Sequence, residues 1–312
     1  MSVRVLEPGL QSLLVDSGRL HSRSLGVPVG GAADCWSLAL GNALVGNPPN
    51  TPALEITLAG PVLQAEKDIG AIVFGAPFEI FDDRRPVQPN SSFTLRSGES
   101  LRLRGCTQGM RAYLCVSGGF GMEEVLGSRS AMMPVQSGQI LLCSTSVQPH
   151  RWVLPFALLS IPAGMPQILR FLPGAQSSWF DLPAFCAQSF MVSPDSNRMG
   201  VRLQGIPLAR PHREMVSEPV CPGSVQVTND GQCIILGVDG QTIGGYPKIA
   251  QIVSADLDYL GQLRPGDTLC FAEVSLQQAE VAFSKRLAAL HTWLVRIGTT
   301  LNCPGIWQSQ SL

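Results

Sequence analysis

Short apolar segments recur along most of the chain at intervals of about ten residues, with glycine or proline between them. Residues 71–74, 78–81 and 92–95 illustrate this rhythm. Segments this short are typical of β-strands, and their even spacing indicates a barrel or a sandwich. The 32 glycines and 24 prolines follow no fixed period, which is typical of turns and not of a collagen-like repeat. The sequence therefore predicts a mainly β protein.

A proline-bearing stretch at 147–167 lacks a steady period and separates two series of strand-like segments. The 312 residues are enough for about two domains. We therefore predict one β domain over residues 1–160, a second β domain over 161–297 that ends in a helix, and a tail over 298–312.

Helices are expected at only a few places. A short helix is predicted over residues 34–45, with Asp34 able to cap its first amides and Gly46 placed to end it. The C-terminal helix has the clearest start, because Ser275 and Gln278 match a capping box. Short helices are also predicted near 178–185 and 254–263.

Composition excludes several classes of protein. Apolar residues make up 45% and charged residues 14%, the opposite of a disordered chain. A net charge of −1 gives no general attraction to nucleic acid or to an anionic membrane. No apolar run approaches the roughly 20 residues of a membrane span, and no signal peptide is visible. We expect a cytoplasmic protein with neither a nucleic-acid nor a membrane partner.

The cysteines and histidines give no metal-site pattern. Nine cysteines are widely spaced without a C-x-x-C pair, and four histidines show no ligand spacing. Reduced thiols are therefore expected, with no metal site.

Three polar, glycine-bearing segments stand out as candidate sites. The first, GVPVGGAAD at 26–34, contains Gly30, Gly31 and Asp34 and leads into the predicted helix, where backbone amides suit an anion. The alternative is a plain strand-to-helix turn. The second, SPDSNRMG at 193–200, offers Asn197 and Arg198 for a carboxylate or phosphate. The alternative is a surface turn in which the arginine pairs locally with an aspartate.

The third segment, VDGQTIGGYPK at 238–248, is the richest in chemistry. It places a carboxylate, an amide, a hydroxyl, a phenol and an ammonium around two glycines that let a ligand approach the backbone. The residues concerned are Asp239, Gln241, Thr242, Gly244, Gly245, Tyr246 and Lys248. A tight hairpin with a Gly-Gly turn is the alternative, but dense polar chemistry on a loop between apolar strands favours a binding or catalytic site.

These segments resemble the motifs of one family, the biotin-dependent carboxyltransferase A/B-subdomain family, also called allophanate hydrolase subunit 2. The resemblance continues in order through 42–47 (NALVGN), 53–57 (ALEIT), 113–119 (YLCVSGG), 126–130 (LGSRS) and 264–267 (RPGD). It covers roughly residues 3 to 290. The family includes the C component of a bacterial 5-oxoprolinase, KipA-type proteins and part of urea carboxylase.

The resemblance implies two β-barrel-like subdomains, A over 1–160 and a cyclophilin-like B over 161–297. It also implies an enzyme that acts only with partners. These are a companion of the C/D type, similar to KipI or to the B component of 5-oxoprolinase, and a LamB/YcsF-type A component. The expected reaction is the ATP-dependent hydrolysis of a small cyclic amide, 5-oxoproline to L-glutamate, with ATP at a site that a partner can share.

Two alternatives stay open under this resemblance. One is a carboxyltransferase subunit of a biotin-dependent urea or amide carboxylase, with biotin carried by a partner. The other is a KipA-like regulator without catalysis that binds a KipI-like partner. The chain has no Met-Lys-Met biotin-attachment sequence and no Walker motif, and both absences favour one subunit of a complex.

The resemblance and the residue types together suggest roles. Asp239 is expected to position water or to take its proton, while Gln241, Thr242 and Tyr246 hold the amide or its oxyanion. Lys248 and Arg198 are expected to neutralise an anion. Two departures from the family motifs fall in this region: Gly240 replaces an arginine, and Gly30 replaces a serine.

Overall fold

The computed structural model describes residues 2–83, 85–88, 90–143, 166–210, 213 and 215–302, which form two compact units. Within this described part, the first unit takes residues 2–18, 35–143 and 288–302, and the second takes 19–34 and 166–287. The predicted domain boundary at 160 lies outside the described residues, as do residues 303–312 of the predicted tail. The domain limits therefore stay a prediction.

The first unit is built from strands β1 to β11, which form two antiparallel sheets. The strands are β1 (Ser2–Glu7), β2 (Gln11–Val15), β3 (Ala53–Thr57), β4 (Val62–Ala65), β5 (Ile69–Gly75), β6 (Phe78–Asp82), β7 (Arg85–Val87), β8 (Phe93–Leu95), β9 (Ser100–Cys106), β10 (Arg111–Val116) and β11 (Ile140–Leu142). One sheet has the order β11-β1-β4-β9-β6-β7 and the other β2-β3-β10-β5-β8.

Both sheets contribute to one hydrophobic core. Leu63 and Leu103 come from the first sheet, Leu54 and Leu114 from the second, and none is more than 2% exposed. Burying each such side chain contributes about 1.5–3 kcal/mol. Because two sheets share this core, the described strands of the first unit form a sandwich-like arrangement.

Helix α1 (Cys35–Leu44) packs onto the second of these sheets. A Cβ at Gly41 would lie 2.8 Å from Cys115 Sγ and 3.2 Å from Phe74 Cβ, so glycine allows the close approach. The helix ends as predicted at Gly46, which has a φ of 77° and donates its N–H to Ala43 O at 3.0 Å.

The second unit contains a closed barrel of seven strands in the order β12-β19-β16-β17-β14-β13-β20, together with a two-stranded sheet, β15-β18. The strands are β12 (Gln167–Pro173), β13 (Phe190–Val192), β14 (Gly200–Gln204), β15 (Glu218–Pro219), β16 (Ser224–Val227), β17 (Cys233–Leu236), β18 (Ile243–Gly244), β19 (Lys248–Ile252) and β20 (Thr268–Glu273). All pairings are antiparallel except β12 with β20.

Four phenylalanines fill much of the barrel core. Phe185 and Phe271 stack with ring centroids 4.4 Å apart, while Phe171 and Phe190 meet Phe271 edge-on. Phe185 is carried by α2 (Leu182–Ala187), whose N-terminus is capped by the Asp181 carboxylate. The barrel and its aromatic core confirm the predicted mainly β class.

The described residues also form α3 (Leu257–Leu260), α4 (Leu276–Asn302) and short 3-10 helices at Arg23–Leu25, Ser177–Trp179 and Ser254–Asp256. The predicted capping box opens α4, because Ser275 N donates to Gln278 Oε1 at 2.8 Å and Gln278 N donates to Ser275 Oγ at 3.2 Å. Residues of α4 up to 287 belong to the second unit and those from 288 to the first. No helix among the described residues is both long and apolar enough to cross a membrane.

Candidate functional site

The candidate site is built around two turns at one end of the barrel. Strand β14 begins at Gly200 and pairs antiparallel with β17, which ends at Leu236 opposite it. The turn before β14 and the turn after β17 therefore lie side by side. Backbone bonds lock them together, because Gly237 N donates to Met199 O at 2.9 Å and Asp239 N donates to Arg198 O at 3.1 Å.

Arg198 and Asp239 form a bidentate ion pair across these turns. Arg198 Nε donates to Asp239 Oδ2 at 2.7 Å, and Nη2 donates to Oδ1 at 3.0 Å. The guanidinium side chain is 4% exposed, whereas the carboxylate is 34% exposed. The predicted alternative, an arginine paired with Asp195, is not the arrangement observed. A buried guanidinium thus holds a carboxylate that solvent can still reach.

The glycine turn at residues 30–31 belongs to the same cluster. Gly30 and Gly31 have φ values of 62° and 74°, which glycine adopts without strain. Gly30 N donates to Val238 O at 2.8 Å, and Gly31 O accepts from Arg198 Nη2 at 2.6 Å. The first and second predicted segments, 26–34 and 193–200, therefore both contact the third, 238–248, at this position.

Arg19 also reaches this turn, although sequence reasoning did not identify it. It is 5% exposed, and its Nη1 lies 3.5 Å from the position of a Cβ on Gly30. Arg19 stands eleven positions before Gly30 and outside the three polar segments. No local pattern marks it, since the loop alone brings it to the turn.

Gly240 follows Asp239 at a position without room for a side chain. A Cβ there would lie 2.9 Å from Gly237 O and 3.0 Å from Met199 O. An arginine at this position, as in the resembling motif, would require the turn to shift. Glycine at position 240, a departure from the family motif, therefore allows the turn conformation that carries Asp239.

Lys248 lies at the start of β19 and has a different set of partners. Its Nζ donates to Glu218 Oε2 at 2.6 Å and to Pro219 O at 3.2 Å, while its backbone N donates to Gln176 Oε1 at 3.1 Å. Hydrogen bonds from Lys248 and then from Gln176 lower the pKa of Glu218. The sequence did not indicate Glu218 or Gln176 as partners.

The middle of the third segment forms strand β18 and its flanks. Thr242 O accepts from Val220 N at 3.0 Å, and Tyr246 O accepts from Gln226 Nε2 at 3.5 Å. A Cβ on Gly244 would lie 2.5 Å from Gln226 Nε2 and 2.9 Å from Gln241 Nε2, so a larger residue there would displace these two amide groups. Gln241 and Gly245 are exposed, and Thr242 and Tyr246 are half-buried.

Asn197 and Asp34 are engaged with the protein itself. Asn197 Oδ1 accepts from Met199 N at 2.8 Å and from Gly200 N at 3.3 Å, which shapes the turn that carries Arg198. Asp34 is fully buried, and its Oδ2 accepts from Gln262 Nε2 at 2.7 Å. These contacts position the two side chains, and the ligand binding predicted for them stays a prediction.

Residues from the family motifs of the first unit also form hydrogen bonds with one another. Tyr113 on β10 is the register partner of Glu55 on β3, and its hydroxyl donates to Glu55 Oε2 at 2.7 Å. Asn47 Oδ1 accepts from Gly118 N at 2.8 Å. Several of the ordered motifs are thus buried hydrogen-bonding pairs of this unit.

Comparison with known proteins agrees with this architecture. Residues 25–273 match the family described as carboxyltransferase domain, subdomain A and B. The chain therefore belongs to that family. It is similar to the C component of 5-oxoprolinase from Haemophilus influenzae, at 36% identity over 89% of this chain and 93% of that protein. The Escherichia coli protein of the same name is 37% identical over the same shares.

A solved structure of the K. lactis urea amidolyase also superposes on the chain, with a TM-score of 0.85 and 26% identity. The match covers 94% of this chain and 20% of that one. The chain thus spans about a fifth of the urea amidolyase, and corresponds to a portion of it.

Proposed function

We propose that this chain is the C-type subunit of an ATP-dependent 5-oxoprolinase complex that hydrolyses 5-oxoproline to L-glutamate. It would act with two companions, one of the C/D type that is KipI-like and one of the LamB/YcsF type. The observation that carries the proposal is its similarity to the C components of two 5-oxoprolinases along 93% of their length. A cytoplasmic location goes with this proposal, since the eight described cysteines are free thiols, as is usual in a reducing compartment.

The Arg198–Asp239 pair suits the hydrolytic step. A carboxylate has about four lone-pair positions, of which the arginine uses two, so Asp239 can accept another proton or hydrogen bond. In the proposed step, water oxygen bonds to the amide carbon while Asp239 takes a water proton. The C–N bond then breaks and that proton passes to the leaving nitrogen, which gives an amine and a carboxylic acid, and the acid ionises by giving its proton to the amine.

Gln241, Thr242 and Tyr246 are proposed to hold the amide or its oxyanion. They flank β18 on the segment that follows Asp239, and all three are at least partly accessible. Amide, hydroxyl and phenol groups donate hydrogen bonds without adding charge, which suits a developing oxyanion.

The residues of this cluster do not fit a triphosphate. Arg198 is paired with Asp239, and Lys248 with Glu218, so both cations that the sequence predicted to neutralise an anion are already bound to a carboxylate. The Gly30 amide donates to Val238 O instead of facing a ligand. We therefore assign ATP to a site formed mainly by partner subunits, and no step here depends on it.

Carboxyl transfer is the second candidate, favoured by the superposition on urea amidolyase over 94% of this chain. In that reaction Asp239 would take the proton of an acceptor nitrogen, and biotin would be carried by a partner. A KipA-like regulator without turnover is the remaining outcome.

Reconstitution of the chain with its two companion subunits tests these proposals. We expect ADP and glutamate to form in equal amounts when 5-oxoproline is present, and neither to form when this chain is omitted. A requirement for bicarbonate and a biotinylated partner would instead select carboxyl transfer. An assembled complex that binds the companion tightly without turnover would contradict both enzyme proposals.

A further inference from the structure

The space beside Gly30 lies between a cation and a carboxylate. A Cβ built on Gly30 would lie 3.5 Å from Arg19 Nη1 and 3.9 Å from Asp239 Oδ1. Apart from the adjoining residues of the loop, no other described atom lies within 4 Å of that point. Because residue 30 is glycine, a polar group of a ligand can enter this space.

The two flanking groups differ in hydrogen-bonding character. A guanidinium only donates, and an ionised carboxylate only accepts. A ligand that fits between them needs an acceptor and a donor side by side. The edge of a cis amide has this arrangement, since its carbonyl oxygen accepts and its N–H donates on the same side. A lactam ring fixes the cis geometry, whereas a ligand carboxylate would face Asp239 with like charge.

We propose that Arg19, Gly30 and Asp239 form the subsite that recognises the amide edge of the substrate. The carbonyl oxygen accepts from Arg19 Nη1, and the amide N–H donates to Asp239 Oδ1. This inference rests on the proposed function and deepens it, because it names the group that is recognised and adds Arg19 as a binding residue.

The surrounding bonds hold this subsite in place before a ligand arrives. Arg19 N donates to Val29 O at 2.6 Å, which closes the loop just before the glycine turn. Gly30 N donates to Val238 O at 2.8 Å, next to Asp239 in the chain. Arg198 fixes the carboxylate through two bonds. Ligand binding therefore needs little reorganisation, which favours affinity for a small molecule.

Glycine-to-alanine substitutions provide a matched pair of variants. Gly30→Ala fills the space between Arg19 and Asp239 with a methyl group. Gly26→Ala imposes the same kind of backbone strain, because Gly26 has a φ of 78°, yet nothing lies within 4 Å of its Cβ position. A difference between the two variants therefore reports the occupied space and not the strain of a left-handed residue.

Binding of 2-pyrrolidinone to the full chain, followed by ligand-observed NMR, tests the subsite without requiring turnover. We expect wild type and Gly26→Ala to bind this lactam alike, and Gly30→Ala to bind it about tenfold more weakly. N-methyl-2-pyrrolidinone, which lacks the N–H, is expected to lose about tenfold on wild type for the same reason. Arg19→Gln provides an independent variant with the same expected loss.

Several results would overturn the inference. They are absence of lactam binding to the wild-type chain, equal binding of the N-methylated probe, or unchanged binding by both Gly30→Ala and Arg19→Gln. The proposed function fails separately, if the assembled complex forms no glutamate although the chain binds the lactam. If the complex turns over and Gly30→Ala turns over as fast as wild type, the result supports the proposed function and contradicts the subsite.

Discussion

Two aspartates, one in each unit, show how a carboxylate can be structural or available for chemistry. Asp16 in the first unit is 7% exposed and accepts from Gly18 N, Ser128 Oγ, Arg129 N and Ser130 Oγ at 2.6–2.8 Å. Four donors match the roughly four lone-pair positions of a carboxylate. Asp239 in the second unit accepts two bonds from one arginine and remains 34% exposed.

The two carboxylates carry the same charge, so the number of hydrogen bonds that each already accepts is what distinguishes their roles. Asp16 connects the end of β2 to the 128–130 loop, and nothing is left on it for a ligand to use. Asp239 accepts only from Arg198, which leaves lone-pair positions on a side chain that solvent reaches. Both are aspartates, and only their surroundings separate the two roles.

The largest expected effect is the loss of activity in Asp239→Asn. Removing a general base lowers turnover about 10²-fold or more, while the amide keeps a hydrogen bond to Arg198. Glutamate formation by the reconstituted complex measures the effect. Asp195→Asn, the same change in a neighbouring exposed turn, serves as the control. Full activity in Asp239→Asn would remove Asp239 from the mechanism.

Asp16→Asn is expected to lower stability instead of activity. The side-chain NH2 of the asparagine would face the N–H and O–H donors that the carboxylate accepts in wild type. In this buried site the mismatch lowers the free energy of unfolding by about 1.5–3 kcal/mol. Urea unfolding measures this change. The control is Asp68→Asn on the exposed surface of the same unit, where the Asp68 carboxylate accepts a hydrogen bond from Ser97 N. A strong loss of turnover in the folded Asp16→Asn protein would contradict a purely structural role for Asp16.

Gly240→Ala is expected to move the turn that carries Asp239. Its methyl group would contact Gly237 O and Met199 O too closely, which costs about 1–3 kcal/mol and displaces the carboxylate. We expect reduced stability in thermal unfolding together with reduced turnover. Gly121→Ala in the first unit is the matched control, because its Cβ would lie 3.6 Å from Leu142 Cβ without a clash. Equal behaviour of the two variants would contradict this account.

The pH dependence of stability should separate wild type from Asp16→Asn. Burial alone raises the pKa of Asp16, but the hydrogen bonds from Ser128, Arg129, Ser130 and Gly18 together lower it below its ordinary value. A lowered pKa stabilises the fold above the unfolded value of about 3.9, and this contribution is lost as pH falls through the folded pKa. The difference in unfolding free energy should therefore shrink in acid. A difference that stays constant from about pH 6 to about pH 2 would contradict the assignment.

The smallest effect is expected for Lys248→Met. The ammonium is already bound to Glu218 and Pro219 O, so turnover should stay within about threefold of wild type. Lys67→Met, a change at an exposed lysine of the first unit, is the control. A loss comparable to that of Asp239→Asn would place Lys248 at the substrate, as the sequence prediction has it.

Local signals in the sequence predicted several elements correctly. The Ser275–Gln278 capping box and the stop at Gly46 depend on residues within four positions of one another, so the sequence contains all of their causes. The helix predicted near 254–263 formed in part: a 3-10 helix covers Ser254–Asp256, α3 covers Leu257–Leu260, and Gly261 follows it as the C-cap.

The mainly β class, the turns and the types of polar group at the candidate site follow from local sequence, since strand rhythm, glycine and capping residues act over a few positions. Which of these groups meet depends on the packing of distant segments. Arg198 and Asp239 are 41 positions apart, and Arg198 and Gly31 O are 167 apart. Arg19 and Glu218 lie in no motif of their own. Such partners are chosen by strand order and barrel closure, which act through contacts between distant segments and leave no pattern in any short stretch of sequence.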